Sequence, residues 1–111
     1  NLLILCHGGN DFLRKRDLNQ MKNNIQAMIQ MASKQNIPVI LLGVPRPGIF
    51  LSSADIYEEI ADSTGALLIE DLIPDILSDN SLKSDAVHPN IRGYRMMAEH
   101  IAEVLENAGA I

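Results

Sequence analysis

Asp85-Ala86-Val87-His88-Pro89 holds the residue types and spacing best suited to acid–base chemistry in this chain. A spacing of three puts Asp85 and His88 on one side of a helical turn. There the carboxylate can hold one ring nitrogen of His88 and favour the charged ring, leaving the other nitrogen to take a proton. That is the pairing of orienting acid and general base in a hydrolase triad. Pro89 fixes the chain as it leaves the pair and starts a helix. The same five residues also read as an Asp capping a turn beside a surface His.

A second polar group, Gly8-Gly9-Asn10-Asp11, follows the apolar run Leu2-Leu3-Ile4-Leu5. The glycines let the backbone turn sharply or approach a ligand closely. The Asn10 amide offers two N–H donors and can serve a developing oxyanion. Read alone, an Asn after two glycines is also a turn residue that tolerates left-handed φ. Asp11 is expected to make a local hydrogen bond. Cys6 reads as a small buried hydrophobe, and His7 points to the opposite face of its strand. His100 reads as helix surface. His7, His88 and His100 lack metal-ligand spacing, and no Gly-Lys-Ser/Thr makes a phosphate loop. Neither metal nor cofactor is implied.

The elements that must position these groups alternate. Leu2–Leu5 suits a strand buried on both faces. Asp17, with Gln20 in capping-box position, starts a helix whose apolar face is Leu18, Met21, Ile25, Met28, Ile29 and Ala32. Pro38 ends it near Asn36. Val39–Gly43 is a second buried strand, and Val44–Gly48 a loop. Ser52 or Ser53 caps a helix carrying Ile56, Tyr57, Ile60 and Ala61, which Gly65 stops. Ala66–Ile69 is a third strand. Residues 70–84 are turn-rich, with one helical turn around Ile73–Leu77. A last helix from Pro89–Asn90 to Gly109 shows Ile91, Tyr94, Met97, Ala98, Ile101, Val104 and Leu105 on one side. Strands alternating with helices argue for a parallel sheet with right-handed crossovers. Both polar groups then lie past carboxyl ends of strands, on the rim where open α/β sheets put ligands.

The 111 residues suffice for one domain with a real core, 47% hydrophobic and without Trp. A net charge of −5 argues against a general nucleic-acid binder. The basic excess of the first half is mostly Arg14-Lys15-Arg16, read as a solvated loop entering a helix. One cysteine forbids an internal disulfide. No apolar run approaches the ~20 residues of a membrane span. The chain opens on Asn1, already inside a strand, which suggests the later part of a longer protein.

A triad also needs a nucleophile. None of Ser33, Ser52, Ser53, Ser63, Ser78, Ser81 and Ser84 follows a strand in a glycine-flanked turn. Ser33 reads as helix surface, Ser52 and Ser53 as caps, the others as loop residues. Gly8-Gly9-Asn10-Asp11 followed by Asp85-Ala86-Val87-His88-Pro89 resembles the third and fifth conserved blocks of the SGNH hydrolases, or GDSL esterases/lipases. The intervening pattern, including Phe12-Leu13-Arg14, is similar to their bacterial arylesterase and lysophospholipase/thioesterase branch. The resemblance spans essentially all 111 residues. It implies a flavodoxin-like three-layer α/β/α fold with a parallel sheet, of which residues 1–111 are the carboxyl-terminal portion with the last three strands. It implies His88 as general base, Asp85 as its orienting acid and Asn10 as oxyanion donor. The family's nucleophile block and second-block oxyanion glycine are absent, so these residues alone are expected to be inactive.

The expected reaction of the parent is serine-dependent hydrolysis of a small-molecule carboxylic ester or thioester, without cofactor. Gly9, Pro45 and Phe50 are candidate substrate contacts. The alternative is a non-catalytic flavodoxin-like module that binds a ligand or a partner. An unpaired apolar edge at Leu2–Leu5 would invite self-association. The compartment stays open; the resemblance admits a periplasmic or secreted parent.

Overall fold

Val39-Ile40-Leu41-Leu42 has no polar side chain, and all four residues are buried in strand β2 (Val39–Leu42). In the computed structural model, which describes residues 1–15, 17–46 and 55–111, β2 is the central strand of a three-stranded sheet. β1 (Leu3–Leu5) and β3 (Leu67–Ile69) lie parallel on either side of it. Leu3 is in register with Val39, and Leu42 with Ile69. This is the parallel α/β sheet, with flanking helices, of a flavodoxin-like fold.

The chain divides into two compact units, Asn1–Pro74 and Asp75–Ile111. The first holds the sheet, α1 (Gly9–Leu13), α2 (Leu18–Lys34) and α3 (Asp55–Thr64). α2 forms because Asp17 caps it, accepting from the Asn19 N–H at 2.9 Å. Among the described residues no reciprocal Gln20 bond of a capping box accompanies the Asp17 cap. Met21, Ile25, Ile29 and Ala32 are buried in a core with Val39, Leu41, Ile56, Tyr57 and Ile60. Lys22 Nζ pairs with Glu59 at 3.1 Å, and Gln26 Nε2 donates to Ser63 Oγ at 2.8 Å, on the exposed side of that α2–α3 packing. α2 ends where Asn36 turns left-handed (φ 58°), and α3 where Gly65 does (φ 75°).

Among the described residues β1 pairs with β2 alone, and Ile4 is 42% exposed. Two expectations are corrected. Cys6 lies past the end of β1 and is exposed rather than buried. Ser63 belongs to α3 and Ser81 to a 3₁₀ turn, not to loops. Ser52 and Ser53 lie outside the described residues.

The second unit contains the 3₁₀ turn Asn80–Leu82 and α5 (Ile91–Asn107), with α4 (Leu72–Leu77) crossing the division. Ile91 is 83% exposed and Tyr94 53%, although both fall on the apolar side of α5. Met97, Ile101, Val104 and Leu105 are half-buried, and Gly93 is the buried residue of the helix. The amphipathic period is present, but the face is only partly covered. No helix among the described residues is long and apolar enough to cross a membrane.

Candidate active site

Asp85 and His88 are brought together, though not by a helical turn. Residues 84–87 form a bend, closed at its base by an antiparallel bridge between Lys83 and Pro89. The Ser84 N–H donates to the His88 carbonyl, and the Asn90 N–H to the Leu82 carbonyl, both at 2.9 Å. Inside this closed loop Asp85 Oδ1 accepts from the Val87 N–H at 2.8 Å and from the His88 N–H at 2.9 Å. The His88 Nδ1 lies 2.9 Å from both carboxylate oxygens. One carboxylate therefore organises the turn and orients the ring.

The pair is open to solvent, with the His88 side chain 62% exposed and that of Asp85 56%. The Val87 N–H, and then the His88 ring, hold the Asp85 carboxyl below its ordinary pKa. An ionised Asp85 fixes the Nδ1–H tautomer of neutral His88. That directs the lone pair of Nε2, which has no hydrogen-bond partner among the described residues, outward as a base. The turn-capping reading and the acid–base reading of this segment describe the same carboxylate.

Asn10 belongs to the first unit, as the second residue of α1. Gly8 makes the turn from β1 into α1 at φ 117°, where an L side chain is strained. A Cβ there would also run into the Tyr57 hydroxyl and lie 2.9 Å from Met21 Cε. Gly9 is not constrained in this way, since among the described residues a Cβ there would meet only Val44 Cγ1 at 3.6 Å. Phe12 anchors α1 in the core with its ring edge-on to Tyr57. The Tyr57 hydroxyl donates to the His7 carbonyl at 2.6 Å. The Asn10 side chain is exposed and makes no hydrogen bond among the described residues. Asp11 lies 3.9 Å from His7 Nε2, too far for the local hydrogen bond expected of it.

Pro45 is buried, and Phe50 lies outside the described residues. No group of three or more His, Cys, Asp or Glu among the described residues could hold a metal ion. Sequence reasoning placed Tyr57 on an apolar face and missed its clamp on the turn before Asn10. A Tyr on a buried helix face, whose hydroxyl must find a partner, was the available signal. It also missed the side-chain bonds of Ser84 and Asn90 around the His88 loop, for which spacing offers no signal.

No protein-family model matches the chain, and no curated protein does. Solved structures do, and they define the class: the chain has the fold of the SGNH/GDSL esterases over nearly its whole length. It is similar to AlinE4, an SGNH-hydrolase family esterase, with 26% identity and a TM-score of 0.61, covering 98% of this chain and 59% of that one. It is also similar to the psychrotrophic esterase EstA of Pseudoalteromonas sp. (22% identity, TM-score 0.75, 93% of this chain). A third is TesA (24% identity, TM-score 0.79, 96% of this chain). The chain spans 62% of the length of each of these last two.

Proposed function

We propose that this chain is the carboxyl-terminal portion of a serine hydrolase acting on carboxylic esters or thioesters. The observation that carries the reading is the Asp85 carboxylate on Nδ1 of His88, with Nε2 left available. Esterases among the solved structures of this fold support it. The nucleophilic serine comes from outside these residues. Of the described serines, Ser63, Ser78, Ser81 and Ser84 are engaged in local hydrogen bonds, and Ser33 lies on the exposed face of α2.

In the proposed reaction, serine Oγ attacks the acyl carbon and His88 Nε2 takes its proton. Asp85 holds the ring and stabilises the imidazolium that forms. The Asn10 amide donates to the oxyanion. His88 then returns the proton to the departing alcohol or thiol, and water attacks the acyl-enzyme with His88 again as base. The released acid and the restored serine complete the cycle.

The test is His88→Ala in the longer enzyme, assayed on a short-chain nitrophenyl ester. A loss of roughly 10³-fold or more in kcat is expected. Activity within a few-fold of normal overturns the assignment. A fluorophosphonate probe on the 111-residue chain, read by intact mass, is expected to leave no label. One stoichiometric label would move the nucleophile into these residues.

A further inference from the structure

The loop carrying Asp85 and His88 is tied at both ends by one side chain. Asn90 Oδ1 accepts from the Gly93 N–H at 3.0 Å and so caps α5. The Nδ2 of the same amide donates to the Ser81 carbonyl at 2.9 Å. The backbone of Asn90 repeats the connection: its N–H donates to the Leu82 carbonyl, and its carbonyl accepts from the Tyr94 N–H, both at 2.9 Å. Asn90 thus joins the residues entering the loop to the helix leaving it.

A helix cap alone needs only an acceptor, and Ser, Thr and Asp supply one as well as Asn does. The bond to Ser81 asks for more: an acceptor and a donor on one rigid plane, with the reach of an amide. Asp has no donor, and Ser and Thr lack the reach. We propose that Asn90 is a positioning residue for the Asp85–His88 pair, its amide clasping the Ser81 end of the loop to the α5 end.

The physical link is short. His88 and Pro89 precede Asn90 directly, and the Asp85–His88 contacts all lie near 2.9 Å, where hydrogen bonds weaken quickly with displacement. Freeing the Ser81 end lets the loop base shift, and the ring contact is a solvent-exposed bond. A misplacement of ~1 Å in a catalytic group can cost about 10²-fold. The proposal rests on His88 being the general base only for its effect on turnover.

The test uses Asn90→Ser, which keeps an uncharged cap but loses the clasp. In the 111-residue chain the ring ¹⁵N shifts of His88 report its neutral tautomer. The native chain is expected to hold mostly Nδ1–H, and Asn90→Ser to move the tautomer ratio about threefold towards Nε2–H, with α5 intact by circular dichroism. In the longer enzyme the same change is expected to lower kcat about tenfold with KM within about twofold. An unchanged tautomer with α5 intact overturns the proposal, whatever His88 does. A shifted tautomer with unchanged kcat upholds the positioning and overturns the catalytic reading of His88 instead. If Asn90→Ser loses the helix, Asn90→Asp keeps the acceptor and the size without the donor. The same tautomer shift is then expected, and its absence overturns the proposal.

Discussion

The Tyr57 hydroxyl donates to the His7 carbonyl at 2.6 Å, across 50 residues of sequence. This bond fastens the first turn of α3 to the turn between β1 and Asn10. It also explains Gly8, since any side chain there would collide with that hydroxyl.

Tyr57→Phe removes the bond and nothing else. A loss of about 1 kcal/mol is expected in urea denaturation, the usual net worth of one hydrogen bond. Gly8→Ala is expected to cost more, about 3 kcal/mol, because it combines strain at positive φ with a clash.

Burial, with Cys6 and Asp11 adding to it, raises the Tyr57 phenol above its ordinary pKa. The folded state therefore keeps the proton that the unfolded chain releases first. The stabilisation is whole below the unfolded value and is lost as pH rises from there through the folded one. Phenolate absorbance in Tyr94→Phe should rise only above the ordinary tyrosine range, together with alkaline unfolding. Titration of Tyr57 at the value of a free phenol would count against its burial.

Asp85→Asn in the longer enzyme keeps an acceptor for the Val87 and His88 N–H groups and discards the charge. An amide oriented to donate would also favour the wrong ring tautomer. A fall of roughly 10²–10⁴-fold in kcat is expected, with the protein still folded. The depressed Asp85 pKa works in the opposite pH direction to Tyr57: its stabilising contribution is present above the unfolded value and is lost as pH falls through the folded one.

Gly93→Ala should destabilise the second unit even though Ala favours helix by ~1 kcal/mol. The new Cβ would meet the Leu82 carbonyl and lie 2.9 Å from Pro89 Cβ and 3.0 Å from Ile76 Cγ2. A net loss of about 2 kcal/mol is expected from denaturation curves. An increase in stability would contradict the close approach of α5 to the 3₁₀ turn.

On its other edge β1 pairs with no strand among the described residues, and Leu2 and Ile4 are exposed. The 111-residue chain is expected to self-associate through that edge, and Ile4→Lys to suppress the association. Sedimentation velocity at rising concentration decides it; a strict monomer throughout would rule the edge out as a sticking point.

The strands and the longer helices were readable in order from residue types because their causes are local, whereas the short α1 after the two glycines was not read. Asp17 supplies a cap, Pro38 stops a helix, Gly65 accepts a positive φ, and the apolar runs mark β2 and β3. The Asp85–His88 pairing was readable too, since three residues of separation suffice for contact in a bend as in a helix. The partial exposure of the α5 face was not readable, for period reports which residues share a side and not what covers it. The working shape of the His88 loop depends on the Lys83–Pro89 bridge and on the Asn90 amide reaching back to Ser81. The turn before Asn10 depends on a hydroxyl supplied by α3. No residue type or simple spacing announces these contacts, and only folding brings their donors and acceptors within reach.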